Sequence, residues 1–362
     1  QDDKTWIKIE RVPLGVVAAL TPWNAPISAA INKVAPIIIT GNTVVVKPSP
    51  YAPIAISLIL KEIASLLPGG VVNVVNGDAK VGQILTTHPF VRKVSLTGGN
   101  ETAIQVMKSA ANSLKRVHFE LGGNDPAIIL EDANLYDAIP QIVESAFRRS
   151  GQVCVATKRI YIPASLYSRA CELFVDYVDN FKVGHGLQEE VTFGPVNNRD
   201  QFHYVKGIIE RAKAYSTVKE LGAKMEPDNW ENGYYILPTI AMNVKENHEI
   251  VSCEQFGPVV PLIAYKNEAE AILMANNSEY GLGSTVWTGD FEKGLRMANQ
   301  LETGMTGING SIVTNLGMRR VPFGGVKQSG IGWERGEFGL EEFVNYHVIT
   351  YHKNTSLQSH SK

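Results

Sequence analysis

Thr43-Val44-Val45-Val46-Lys47-Pro48-Ser49-Pro50 reads as a short β-branched strand halted by two prolines. Working outward, residues 15–20 form a strand before it and residues 26–40 a helix, with Pro26 in the first turn where a missing N–H is harmless. Beyond it the pattern predicts a helix at 53–67, a strand at 71–75 closed by Asn76-Gly77, and a short helix at 80–86. A strand at 93–96, a helix at 101–114 and a strand at 116–121 follow, ending at Gly122-Gly123. Near-continuous apolar strands that alternate with helices five times imply a parallel sheet covered on both faces, the doubly wound α/β class.

The alternation restarts after Gly123. Strands are predicted at 127–130, 159–162 and 283–287, and helices at 135–150, 167–181, 268–276 and 291–300, with polar loops at 184–200 and 228–233. The expected organisation is a dinucleotide-binding domain at 13–121, a second α/β catalytic domain at 122–342, and a polar tail at 352–362. No internal repeat is visible.

The chain has 362 residues, room for two domains, and 44% of them are hydrophobic, enough for a sizeable core. Lys+Arg 34 against Asp+Glu 36 argues against a nucleic-acid binder or a polybasic membrane anchor. No apolar run reaches the ~18 residues of a membrane span, and no signal peptide opens the chain. Three cysteines, an odd number, are no disulfide framework and suit a reducing, cytoplasmic compartment. No His, Cys and carboxylate spacing suggests a metal.

Several strand ends carry chemistry. Cys154, in Gly151-Gln152-Val153-Cys154, sits on a turn between a helix and a strand. It is either a nucleophile, needing a partner to form the thiolate, or a small buried hydrophobe. The second reading serves Cys171 and Cys253. Glu120 closes an apolar strand, where doubly wound folds place their ligands, and is a general base or a strand-end charge. His118 lies two positions earlier on the same face, where a Cys–His pairing or a structural role fits. Asn24, in Pro22-Trp23-Asn24-Ala25-Pro26, either donates to an oxyanion or caps the helix that follows. Leu96-Thr97-Gly98-Gly99 offers a phosphate the free N–H groups of a helix start, although the G-x-G-x-x-G fingerprint is missing. Lys47 is a donor for ribose or phosphate, or a solvated lysine. That so many such residues fall at strand ends points to one site at one sheet edge.

In order along the chain, these segments resemble the aldehyde dehydrogenase superfamily. To the motifs above are added Glu254-Gln255-Phe256-Gly257-Pro258 and Pro322-Phe323-Gly324-Gly325-Val326-Lys327-Gln328-Ser329-Gly330. The resemblance implies Cys154 as nucleophile, Glu120 as general base, and Asn24 with the Cys154 N–H as oxyanion donors. It implies Lys47, Ser49, Trp23, Gly98, Gly99, Glu254 and Phe256 as cofactor contacts. The implied reaction oxidises an aldehyde to a carboxylic acid with NAD(P)+ through a thiohemiacetal and a thioester. Residues 1–12 with 343–351 resemble oligomerisation strands, so a homodimer or homotetramer is expected. Trp287, Ile312, Val153 and Val155 suggest an apolar substrate mouth.

The sequence also departs from that family. Pro50 stands where a glutamate commonly receives the adenine-ribose 2′-hydroxyl, so NAD is expected with NADP admitted. Gly99 replaces a serine. The chain starts at Gln1, whereas family members have a substantial segment before that point, packed on the cofactor domain. Its absence is expected to expose apolar surface unless a partner subunit covers it, in a processed or truncated form or a naturally short member. The alternatives kept beside the dehydrogenase are a cofactor-independent cyclase, isomerase or lyase on this scaffold, and a non-catalytic or thiol-hydrolase descendant.

Overall fold

The computed structural model describes residues 5–225, 227–310 and 320–352. In chain order the first elements are β1 (Thr5–Pro13), β2 (Val16–Leu20), α1 (Pro26–Ile39), β3 (Thr43–Lys47), α2 (Ile54–Ser65), β4 (Val72–Val74), α3 (Ala79–Thr87), β5 (Val91–Thr97), α4 (Asn100–Ala111) and β6 (Arg116–Glu120). They build a parallel sheet of order β6-β5-β2-β3-β4. Val17, Ala19, Val44 and Val46 pack one face against Val34 and Ile37 of α1 and Ile56 and Leu60 of α2. Ala18, Leu20, Val94 and Leu96 pack the other face against Ala103 and Val106 of α4. Burial on both faces is what the unbroken apolar runs encode. Each fully buried Val or Leu side chain contributes roughly 1.5–3 kcal/mol. Strand order reverses direction between β2 and β5, so the carboxyl ends of those strands flank the crevice where such sheets bind ligands.

The sheet is not completed by its own segment. Gly330–Ile331 adds to the free edge of β6, antiparallel, with Gly330 opposite Glu120. The segment after residue 121 therefore supplies a strand to the first sheet.

A second sheet contains β7 (Asp125–Ile129) and β8 (Thr157–Pro163), joined through α5 (Leu135–Phe147). Its order is Thr217–Glu220, Thr239–Met242, Val259–Tyr265, β8, β7, Gly283–Trp287, Met305–Ile308, parallel except for the first edge strand. The loop predicted over 184–200 gives way at its end to the helix Arg199–Ala212. The polar stretch at 228–233 folds largely into the short 3-10 helix Pro227–Asn232.

β1 pairs along its whole length with Val344–His352 in an isolated antiparallel ribbon. His352 ends this strand instead of opening the tail, and residues 353–362 lie outside the described residues. Ile7, Ile9, Tyr346 and Val348 are exposed on the ribbon. Around the first sheet, Ile54 and Leu58 of α2, Leu66 at its end and Ile84 of α3 are exposed as well. Among the described residues no helix is long and apolar enough to cross a membrane.

Candidate active site

The turn that carries Cys154 is built on unusual backbone. The sequence predicted a helix to residue 150, but α5 stops at Phe147, and Arg149, Ser150 and Gly151 all take positive φ, 51°, 59° and 72°. For the two non-glycine residues this conformation costs about 1 kcal/mol or more each. The surroundings hold it: Ser150 Oγ donates to Gly194 O at 2.7 Å, Gln152 Nε2 to Arg149 O at 3.0 Å, and Asn197 N to Gln152 Oε1 at 2.8 Å. A Cβ on Gly151 would lie 2.1 Å from Gly257 O, so only glycine fits. The result seats Val153 and Val155 in a small apolar cluster with Leu282, Met305 and Phe323, with Cys154 against it and partly exposed.

Asn24 follows β2 and does not cap α1; that position is Ala25, with no side-chain bond. Instead its Nδ2 donates to Gln152 O at 2.9 Å, and Arg149 Nη1 donates to Asn24 O at 3.3 Å. Cys154 thus belongs to the second α/β unit and Asn24 to the first. The sequence reading places the candidates at one sheet edge; Cys154 instead stands on a loop of the second unit. The two bonds between Asn24 and this loop bring the end of β2 to it.

Glu120, the last residue of β6, is buried. Leu121 N donates to Ser329 O at 2.9 Å, so the Pro322-to-Gly330 motif pins the strand end that carries the carboxylate. Burial pushes the Glu120 carboxyl well above its ordinary range; Glu334 adds to the rise, and Lys33 opposes it. Lys33 and Glu334 form a buried ion pair at 2.7 Å. Burial likewise pushes the Cys154 thiol up to about 12, with Lys158 pulling it down and the charges of Glu120, Asp125 and Glu254 pushing it further up. Lys158 Nζ donates to Cys154 O at 2.6 Å and to Val153 O at 3.0 Å.

Lys33, Lys158, Asp125 and Glu334 were not singled out from the sequence. A signal existed for two of them. Lys33 shares the buried stripe Ala29, Ala30, Lys33, Val34, Ile37 of α1, and Lys158 lies within the wholly buried strand β8. A charge on a buried stripe requires a partner. Trp287 is corrected: it lies in the core of the second sheet, its Nε1 donating to Thr285 Oγ1, and does not line a mouth. Ile312 lies outside the described residues.

The proposed cofactor positions cluster at the carboxyl edge of the first sheet. Lys47 Nζ donates to Pro48 O at 3.0 Å, and partial burial lowers its pKa. Ser49 Oγ accepts from Tyr51 N at 3.3 Å, within its own turn. The N–H of Gly98 is taken by Glu120 O at 3.1 Å. A phosphate is then left the uncapped first turn of α4, which opens at Gly99, where a Cβ would meet nothing within 4 Å. Trp23 meets Phe256 edge to face at 5.5 Å. Glu254 Oε1 accepts from Gly123 N at 3.0 Å and lies 3.5 Å from Lys158 Nζ. Among the described residues no group of three or more His, Cys, Asp or Glu could hold a metal ion.

A doubly wound sheet with an open helix start at its crevice is joined, through the bond from Asn24 to Gln152 O, to a second α/β unit whose loop carries Cys154. The aldehyde dehydrogenase family matches residues 1–349, and the chain belongs to that family. It is 38% identical over 347 residues to the NADP(+) succinate-semialdehyde dehydrogenase of Escherichia coli (strain K12), and equally to a glutarate-semialdehyde dehydrogenase of Pseudomonas putida. Each alignment covers 95% of this chain and 70% of the relative. Among solved structures, a cysteine-to-alanine mutant of aldehyde dehydrogenase C from Pseudomonas syringae, complexed with NAD+ and octanal, superposes with a TM-score of 0.90 at 36% identity, covering 95% of this chain and 70% of that one. Betaine aldehyde dehydrogenase from Staphylococcus aureus with NAD+ gives 0.91 at 34% identity, covering 100% and 72%. The reaction of this chain is the oxidation of an aldehyde to a carboxylic acid with a nicotinamide dinucleotide. These relatives are dehydrogenases, and nothing in them favours the cofactor-independent alternative.

Proposed function

We propose that Cys154 is the nucleophile, Glu120 the general base and Asn24 the oxyanion donor of this reaction. The thiol adds to the aldehyde carbon, forming the C–S bond of a thiohemiacetal, and its proton passes to a base. Asn24 Nδ2 spends one N–H on Gln152 O and keeps the other for the substrate oxygen, beside the Cys154 N–H. Bound NAD(P)+ supplies the hydride acceptor, and loss of hydride from the carbinol carbon leaves a thioester on Cys154. Glu120, its carboxyl raised by burial, removes a proton from water, which attacks the thioester to release acid and thiol. The observation that carries this reading is the 2.9 Å bond from Asn24 to the loop of Cys154, which joins the two units at the reacting position.

The test is a pair of variants followed for NAD(P)H formation. Cys154→Ala should abolish turnover. Glu120→Gln should give one burst of NAD(P)H and then accumulate acyl-enzyme, visible by intact mass. Turnover retained in Cys154→Ala rejects the nucleophile, and an unchanged steady state in Glu120→Gln rejects the base.

Lys47, Ser49, Trp23, Gly98, Gly99, Glu254 and Phe256 are the proposed cofactor surround, with the first turn of α4 for the pyrophosphate. NAD is the favoured form. Pro50 offers no carboxylate to the adenine ribose, but Asp200 stands beside it, accepting from Tyr51 Oη at 3.1 Å, and its charge disfavours a 2′-phosphate. Val153 and Val155 support an aldehyde with an aliphatic chain, which a panel of aldehydes of graded length would test. The exposed apolar faces of the β1 ribbon support a homo-oligomer. Three free cysteines support a cytoplasmic setting. The division into 13–121 and 122–342 is kept as the proposed domain boundary, with the edge strand Gly330–Ile331 crossing it.

A further inference from the structure

We propose that His118 is a positioning residue for the base: its Nε2–H docks the ionised carboxylate of Glu120 against β6 and so sets the pH at which Glu120 becomes a proton acceptor. The proposal rests on the reading of Glu120 as the base. Residues 118 and 120 share one face of β6, and His118 Nε2 lies 3.7 Å from Glu120 Oε1. Both atoms are fully buried, and neither has a hydrogen-bond partner among the described residues. An orphaned donor beside an orphaned acceptor is costly, and a shift of under ~1 Å closes the gap to a normal bond.

The ring itself is held in place. Ser95 sits directly opposite His118 across the β5–β6 ladder, and Ser95 Oγ lies 2.9 Å from His118 Nδ1. If the buried serine hydroxyl donates to Nδ1, the imidazole proton is on Nε2 and points at Glu120. With Glu120 ionised, the other tautomer strands the serine hydrogen and sets two lone pairs face to face, so the geometry selects the first in the state that accepts a proton. The Phe343 ring stands at 6.5 Å, and Gly332, at φ 84°, leaves room for the imidazole: a Cβ there would lie 2.9 Å from His118 Cδ2.

The charged groups around this pair come from every neighbouring element. Lys33 projects from α1 and pairs with Glu334; Lys93 projects from β5 and pairs with Glu342; Arg335 acts on Glu120. Burial and the two lysines push the His118 pKa well below its ordinary value. Across the working range His118 is therefore a neutral donor, and the group that titrates is Glu120. A bond donated to its ionised form offsets part of what burial does to that carboxyl.

The experiment measures the pH profile of kcat at saturating aldehyde and cofactor for the wild type, His118→Leu, His118→Gln and Glu120→Gln. His118→Leu should move the acid limb up by about one pH unit, the effect of one hydrogen bond to a charged group. His118→Gln, whose amide nitrogen can take the place of Nε2, should restore the limb. A merely structural histidine would lower kcat at every pH without moving the limb. An unmoved limb in His118→Leu, with the limb lost in Glu120→Gln, overturns the positioning role and leaves the base standing. A limb that persists in Glu120→Gln overturns the base itself. Should His118→Leu fail to fold, 15N spectra of the wild-type histidines decide: a proton on Nε2 of His118 supports the proposal, and one on Nδ1 overturns it.

Discussion

Asn24 Nδ2 and the carbonyl of Gln152 are joined at 2.9 Å, a bond that ties the end of a strand in the first sheet to the Cys154 loop of the second unit. The amide proposed to stabilise the oxyanion is therefore also the part that keeps the thiol in register with it. Asn24→Ala should lower kcat/KM by about 10²–10³, the usual loss for one oxyanion donor. The drop should appear mainly in kcat, because the missing contact is made to charge that develops during reaction. Steady-state kinetics with one aldehyde at saturating cofactor measures it.

Burial of the Cys154 thiol predicts a slow reaction with alkylating agents. With its pKa pushed up to about 12 by burial, the thiolate is scarce at pH 8, and reaction with iodoacetamide should be about a thousandfold slower than at an unperturbed cysteine. The rate should rise about tenfold per pH unit between 7 and 10 with no plateau. Lys158 pulls the other way, so Lys158→Met should slow the reaction further. Peptide-resolved mass spectrometry separates Cys154 from Cys253.

Asp125 carries a stability signature. Burial raises its carboxyl from 3.8 to about 7, so between those values the folded chain holds a proton that the unfolded chain has released. Stability therefore falls as pH climbs from about 4 through 7, and the penalty is complete above 7. Asp125→Asn should stabilise the protein by about 1–3 kcal/mol at pH 8 and by nothing at pH 4. Urea unfolding at the two pH values checks the sign.

The proposed preference for NAD rests on Asp200, carried by the helix Arg199–Ala212. Asp200→Asn should leave NAD affinity nearly unchanged and tighten NADP about tenfold or more, since a like-charge contact across a binding surface costs several kcal/mol. Equal effects on the two cofactors would place Asp200 away from the ribose. Fluorescence titration of the two cofactors against wild type and variant gives the ratio.

Much of the fold was legible because local signals and packing agree there. Thr43–Lys47, Gly283–Trp287 and Glu268–Asn276 appear with the limits read from the sequence. Val259–Tyr265 escaped because Pro261 sits inside a central strand, where proline argues against a strand. Gly330–Ile331 escaped because two residues have no period, and their partner lies far off in sequence. The site shows the same division. Cys154, Glu120 and Asn24 stand at strand ends and turns that a reader can place. Lys33 and Glu334 act through a tertiary pairing that no spacing announces. The left-handed run at Arg149 and Ser150 was invisible, since neither residue favours that backbone and only the finished contacts hold it.

The antiparallel addition of Gly330–Ile331 to β6 has a consequence for biosynthesis. The strand that carries Glu120 is made early, yet its outer edge stays bare on the ribosome until residue 331 has emerged. The first half of the chain therefore cannot finish folding ahead of the second. A chain interrupted before that point leaves an open strand edge, a ready template for aggregation.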